Sequence, residues 1–239
     1  MIDPLKGIRD IFDEHANDKC YQCGIEMRLH TPEQMDDCWN AIKGIEQDQL
    51  LIDDAIRTMS VSPNFGTQRF SDLNPDIERL NIKSWSSVEE FKASANTGLY
   101  LYGPPGTGKT HAARCVLYQA MRARETFAET NAYKLLRMSK RFDAEATVAR
   151  YERVKYLLID DIDKADWFSS DLSFLWHLLN SWVEYGGRTI ITANVAPKDF
   201  RKVFGEAGEG NSSKIEATLQ RLHPVKVVDF TGKSVRGMV

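Results

Sequence analysis

Long apolar runs are missing from this chain of 239 residues. No stretch approaches the roughly 20 residues that a bilayer-spanning helix needs. The opening Met1-Ile2-Asp3-Pro4-Leu5-Lys6 has neither the basic start nor the apolar core of a signal peptide, so a cytoplasmic protein without membrane contact is expected. Cysteine is scarce: of four, Cys20, Cys23 and Cys38 fall within the first forty positions. Thiols in a reducing compartment do not build a disulfide framework. The fourth, Cys115, reads as a small buried apolar residue. Neither sign of charge dominates, with 31 Lys and Arg against 34 Asp and Glu. That balance excludes a generic nucleic-acid coat and leaves any DNA contact to a local patch. Internal repeats and low-complexity tracts are also absent. What is present, 42% hydrophobic residues, suffices for a full core, one main domain with a smaller piece attached.

Charge is unevenly spread. Residues 1–60 hold 13 acidic and 6 basic side chains, whereas the remainder holds 21 acidic and 25 basic. An acidic front on a mildly basic body implies two modules with different partners. Residues 1–60 read as short helices around the cysteines and residues 61–75, rich in Pro, Gly, Asn and Ser, as a linker. Residues 76–239 form the main domain.

The most specific pattern is Gly103-Pro104-Pro105-Gly106-Thr107-Gly108-Lys109-Thr110, placed after the apolar run Leu99-Tyr100-Leu101-Tyr102. This is G-x-x-x-x-G-K-T at a strand-to-helix junction, the setting in which it cradles phosphate. Backbone N–H groups of the turn form an anion nest, and the following helix directs its positive end at the same spot. Lys109 supplies a charge for the β- and γ-phosphates, and the Thr110 hydroxyl a ligand for Mg²⁺. ATP or GTP is the expected ligand.

Around this loop the chain alternates strands and helices. Ser86 and Ser87 ahead of Glu89 and Glu90 predict a capping box opening a short helix to about Ala95. A strand at 98–102, a helix at 110–123, a strand near Thr126–Glu129 and a helix from Asn131 to about Phe142 follow. Tyr156-Leu157-Leu158-Ile159 reads as a central strand covered on both faces. Ser169 and Ser170 cap a helix that ends before Gly186-Gly187. Thr189-Ile190-Ile191-Thr192 is the next strand, and a helix at 215–222 precedes a last strand at 225–230. Such alternation specifies an α/β fold with a parallel sheet and right-handed crossovers.

Asp160 and Asp161 directly follow the apolar strand. Beside a phosphate loop, the first acid holds Mg²⁺ and the second orients or deprotonates the attacking water. Asn194, ending the next strand, offers an amide beside the γ-phosphate.

In order, these motifs resemble the DnaC/IstB-like branch of AAA+ ATPases. They are 103–111 (closing on His111), Leu157-Leu158-Ile159-Asp160-Asp161, Ile191-Thr192-Ala193-Asn194, Gln220-Arg221-Leu222 and Gly232-Lys233-Ser234-Val235-Arg236. That branch includes bacterial and phage loaders of the replicative helicase, and the likeness covers roughly residues 68–239. It implies a P-loop AAA+ core in which Asn194 is the sensor-1 residue. Arg221 becomes the finger reaching a neighbour's ATP, and Arg236 a sensor-2-like arginine. A finger supplied in trans implies a self-oligomer. Many AAA+ proteins carry Glu where Asp161 stands.

Cys20-x2-Cys23 is a zinc half-site, to which Cys38 adds a third ligand and His30 a fourth, with His15 competing for that place. The alternative is three reduced thiols. With little apolar material in residues 1–60, a structural zinc ion supplies folding energy that a core cannot. N-terminal zinc modules occur in some helicase loaders.

Lys134, Arg137 and Arg141 recur at helical spacing beside Lys140, and Arg150, Arg153 and Lys155 are expected on the next helix. They read equally as a solvated face or as a track for a DNA backbone. The resemblance favours single-stranded DNA, with Tyr133 and Phe142 as stacking candidates. The sequence reading is therefore a loader with a replicative helicase hexamer as partner. A transposition helper binding duplex DNA and a nucleotide-gated adaptor with little hydrolysis are the alternatives.

Overall fold

The computed structural model describes residues 31–58, 61–63, 65, 81–91, 98–140, 149, 151–199, 226–232 and 234. The chain divides into two compact units, Met1–Asp53 and Asp54–Val239. Among the described residues no helix is long and apolar enough to cross a membrane.

Helix α1 (Pro32–Thr58) is a single element of 27 residues where the sequence predicts short helices. Its start explains the difference. Thr31 and Gln34 form a reciprocal capping box, the Gln34 N–H donating to Thr31 Oγ1 at 3.2 Å and the Thr31 N–H to Gln34 Oε1 at 3.0 Å. Pro32 occupies the first helical position, where its missing N–H costs nothing.

The second unit is built on five parallel strands: β1 (Leu99–Tyr102), β2 (Phe127–Asn131), β3 (Tyr156–Asp160), β4 (Arg188–Ala193) and β5 (Lys226–Asp229). Their order across the sheet is β2-β3-β4-β1-β5. The helices are α2 (Ile82–Glu89), α3 (Lys109–Arg122), α4 (Ala132–Ser139) and α5 (Ser169–Glu184). Side chains alternate across a strand. Tyr100, Leu157, Ile159 and Ile191 accordingly share one core with Leu135 of α4 and with Leu172, Leu175, Leu179 and Trp182 of α5. Helix α3 packs against β1, β3 and β4 through a face that buries Ala112, Cys115 and Val116. Coverage on both faces is why β3 and β4 read as continuous apolar runs.

Further expectations differ from the structure. Helix α2 begins at Ile82, so Ser86 and Ser87 are interior residues and not caps. Asn81 precedes it without a side-chain cap; its amide is spent on tertiary contacts, accepting from the Gly232 N–H at 2.8 Å. Helix α4 stops at Ser139 rather than near Phe142, and its N-cap is Asn131, whose side-chain Oδ1 accepts from the Lys134 N–H at 2.9 Å. Lys155 is not helical; it lies just before β3, and its ammonium pairs with Glu125. At the start of α5 it is Asp171, 2% exposed, whose carboxylate accepts from the Phe168 N–H (3.2 Å) and the Ser139 hydroxyl (2.6 Å). Phe65, in the segment read as linker, is 1% exposed and stacks on Phe127 at 5.2 Å.

Candidate functional site

The phosphate loop leaves β1 at Gly103, whose φ of 143° is open to glycine alone. A Cβ there would lie 2.3 Å from the Phe230 carbonyl oxygen. Gly108, at φ 96°, caps α3; a Cβ would meet the Trp85 ring at 2.9 Å. Between them Pro104 and Pro105 are exposed, and the buried Thr107 hydroxyl donates to the Pro104 carbonyl at 2.9 Å. The first N–H groups of α3 lack carbonyl partners within the helix, and its dipole favours negative charge at this end, as an anion site requires.

Lys109 is the first residue of α3. Its ammonium donates to the Gly103 and Pro104 carbonyls, both at 2.8 Å, and to Asn194 Oδ1 at 3.3 Å. Burial lowers its pKa, while the charges of Asp161, Asp163 and Asp160 pull it back up. One cation thus ties the loop after β1 to the end of β4.

Asp160 closes β3 and accepts two hydroxyl protons on one oxygen, from Thr110 at 2.8 Å and from Thr192 at 2.6 Å. A hydroxyl beside a carboxylate at the loop suits a hard divalent cation, so Thr110 and Asp160 are the residues that fit Mg²⁺. Asp161 takes φ 50°, a left-handed conformation that Asp tolerates better than most residues. Its N–H donates to Thr192 Oγ1 at 2.8 Å. Burial first, then the charge of Asp160, raises its carboxyl pKa, with Lys164 and Lys109 acting in the opposite sense. A carboxylate of raised pKa accepts a proton more readily, as a general base requires.

Asp163 is a further acid that the sequence reading passed over. Its Oδ2 accepts from the Asn194 backbone N–H at 2.9 Å. The signal available was a third acid, two positions beyond the pair. Nearby, the Tyr100 hydroxyl donates to the Val195 carbonyl at 3.0 Å. Burial and then the Asp163 charge push the Tyr100 phenol far up.

The fold thus gathers Gly103, Pro104, Thr107, Gly108, Lys109, Thr110, Asp160, Asp161 and Asn194 at the carboxyl ends of parallel strands. His111, expected at the nucleotide, packs edge-on against Trp85 with ring centroids 5.6 Å apart. Asn131 pairs in register with Asp160, so α4 starts one strand away from the acids. On α4, Tyr133, Lys134 and Arg137 are exposed, as is Lys140 just beyond its end. The Lys140 ammonium sits 5.5 Å above the ring of Phe168, itself 59% exposed and absent from the sequence reading. Arg141, Phe142, Arg150, Arg221 and Arg236 lie outside the described residues, as do Cys20, Cys23, His15 and His30. Cys38 falls on α1, but its side chain is likewise outside them. Among the described residues no group of three or more His, Cys, Asp or Glu is arranged to hold a metal ion.

Comparison with known proteins agrees with this geometry. The family described as IstB-like ATP binding protein matches residues 67–238. The ATP-binding protein of insertion sequence IS232 from Bacillus thuringiensis subsp. berliner is 28% identical over 170 residues, 69% of this chain. The chain spans 65% of that relative's length, just under two thirds. Among solved structures, DnaI superposes with a TM-score of 0.59 at 18% identity, over 74% of this chain and 95% of that one. The replication initiator DnaA bound to AMPPCP and single-stranded DNA gives 0.53 at 17%, over 70% of this chain and 51% of its own. At these identities the two structures share the fold.

Proposed function

The chain belongs to the IstB-like ATP-binding family, and on that footing we propose that it is an AAA+ ATPase that loads a replicative helicase onto single-stranded DNA. The observation that carries the ATPase reading is the gathering, at the strand ends, of two hydrogen-bonded pairs, Lys109 with Asn194 and Thr110 with Asp160, and of Asp161, which Thr192 links to Asp160. When bound, Mg²⁺ neutralises phosphate charge; Thr110 and Asp160 are the residues placed to hold it. Lys109 binds the β- and γ-phosphates. Asp161 receives the proton of the attacking water, and Asn194 orients that water. Arg221 completes the site of a neighbouring subunit, and Arg236 reads the nucleotide within its own. The active species is therefore an oligomer.

The DNA contact is assigned to the exposed side of α4, with Lys134, Arg137 and Lys140 on the phosphates and Tyr133 as a stacking platform; Arg141 extends the same track. Support comes from the register of Asn131 with Asp160, which starts this helix beside the ATP site. DnaA, of the same fold, is seen with single-stranded DNA. The acidic residues 1–60, with zinc held by Cys20, Cys23, His30 and Cys38, form the helicase-docking module.

A second reading has its own support: the matching relative from an insertion sequence favours a transposition helper that binds duplex DNA. ATP turnover measured with single-stranded and with duplex DNA separates the two. Stimulation by single strands alone supports the loader; stimulation by duplex alone overturns it in favour of the helper. Binding without turnover under either condition leaves a nucleotide-gated adaptor.

A further inference from the structure

We propose that Asp163 is a positioning residue for Asn194, a strut that holds the end of β4 so that the site distinguishes a nucleoside triphosphate from a diphosphate. The proposal rests on the nucleotide-site reading above.

Beyond β4 the chain no longer has a full ladder to hold it. At the end of the strand two bonds come from the segment after β3, the Ile162 N–H donating to the Thr192 carbonyl inside β4 at 3.1 Å and the Asn194 N–H donating to Asp163 Oδ2 at 2.9 Å, beside the Gly103 N–H that donates to the Ala193 carbonyl at 3.3 Å. The second is the direct restraint on the Asn194 backbone. The side-chain amide of the same residue meets Lys109 at 3.3 Å, the longest of the three bonds made by that ammonium. A bond at that length weakens steeply with any displacement. Lys109 in turn rests on the Gly103 and Pro104 carbonyls of the phosphate loop. Asp163, Asn194, Lys109 and the loop therefore form one continuous chain of contacts, of which Asp163 is the far anchor.

The other oxygen, Asp163 Oδ1, is buried and has no hydrogen-bond partner among the described residues. Buried polar atoms are nearly always satisfied, and exceptions concentrate where function holds them. Ile162, between the acids, is 0% exposed and packed in the core, so the Asp163 backbone has little freedom to retreat. Asn194 is assigned above to the water that attacks the terminal phosphate, so its misplacement is felt mainly through that phosphate.

The test compares Mg²⁺ complexes of a non-hydrolysable ATP analogue and of ADP, bound to the full chain and followed by calorimetry. Asp163→Ala is expected to lose about tenfold of the preference for the triphosphate, the worth of one charge-assisted hydrogen bond, with ADP affinity unchanged within about twofold. Asp163→Asn keeps an acceptor oxygen and is expected to retain most of the preference. Asn194→Ala should match Asp163→Ala, and the double variant should lose no more than either alone, as members of one unit do. Several results overturn the proposal: equal weakening of both nucleotides, Asp163→Asn as defective as Asp163→Ala, losses that multiply in the double variant, or a wild type without preference. Should Asp163→Ala not fold, Asp163→Asn and Asn194→Ala still decide. A wild type that binds neither nucleotide, or that binds both as well as Lys109→Ala does, is a different result: it removes the nucleotide-site reading itself.

Discussion

Thr192 donates its hydroxyl proton to Asp160 at 2.6 Å and accepts the N–H of Asp161 at 2.8 Å. One side chain of β4 thus holds the Asp160 carboxylate and the Asp161 backbone together. The pair is held from the neighbouring strand, with Asp161 at φ 50° and its carboxylate subject to the charge of Asp160. Strain and like-charge proximity of this kind are maintained only where the surrounding structure over-determines them.

That arrangement makes Asp161 costly to the fold. Its carboxyl pKa is raised in the folded chain, so the folded state disfavours the ionised form. The penalty is absent below the unfolded pKa near 3.8 and complete once pH exceeds the raised folded value. Asp161→Asn removes it, and Asn tolerates the left-handed backbone. The expected result is a higher melting temperature than wild type at pH 7, the gain shrinking as pH is lowered into the carboxylate range. ATP turnover should fall by about 10²-fold or more with binding kept. Melting curves across pH and a turnover assay check both halves.

Arg114 and Glu129 form a pair whose side chains are 16% and 8% exposed, with contacts of 3.1 and 2.6 Å from Nε and Nη2. Glu129 also accepts from the Ser62 N–H at 3.2 Å, tying the entering chain to β2. Removing the arginine leaves a buried carboxylate with much of its compensation gone. Arg114→Ala should cost about 3–5 kcal/mol, and Arg114→Met with Glu129→Leu should recover most of it. Urea unfolding of the single and double variants measures the difference.

A finger supplied in trans makes a mixing prediction. Arg221→Ala and Asp161→Ala are each expected to be inactive alone. A mixture juxtaposes an intact site with an intact finger at about a quarter of the interfaces, so turnover should reappear on mixing. A mixture as inactive as its components excludes Arg221 as the finger.

On α4, Lys134→Ala should weaken DNA binding regardless of sequence and reduce the salt dependence by about one charge. Tyr133→Ala should weaken single-stranded binding by about 1–3 kcal/mol and leave duplex binding less affected. Fluorescence anisotropy over a salt series reads both.

How much of this was legible in the sequence follows from where each signal resides. The phosphate loop, β3 and β4 were legible because local rules dictate them: glycines where no Cβ fits, and apolar runs where both sheet faces are covered. Helix α2 was misplaced because its start at Asn81 carries no side-chain cap. That amide contacts Gly232, 151 positions away, and no local pattern announces such a bond. The start of the single helix α1 is written in Thr31-Pro32 and Gln34, but its continuity to Thr58 is not expressed by the cysteine spacing. Asp163 was missed for a related reason. Its importance lies in a bond to Asn194 across two strands, and periodicity along one strand cannot express it. Phe168 meets Lys140 only through the tertiary fold, 28 positions away in sequence, so no local pattern marks it.

The most direct test of the account is the native mass of this protein mixed with the replicative helicase of its own cell, with and without ATP. A discrete complex carrying several copies on one helicase ring, strengthened by ATP and lost with Lys109→Ala, is the expected result. No complex under either condition, with assembly on duplex DNA instead, would contradict the loader reading.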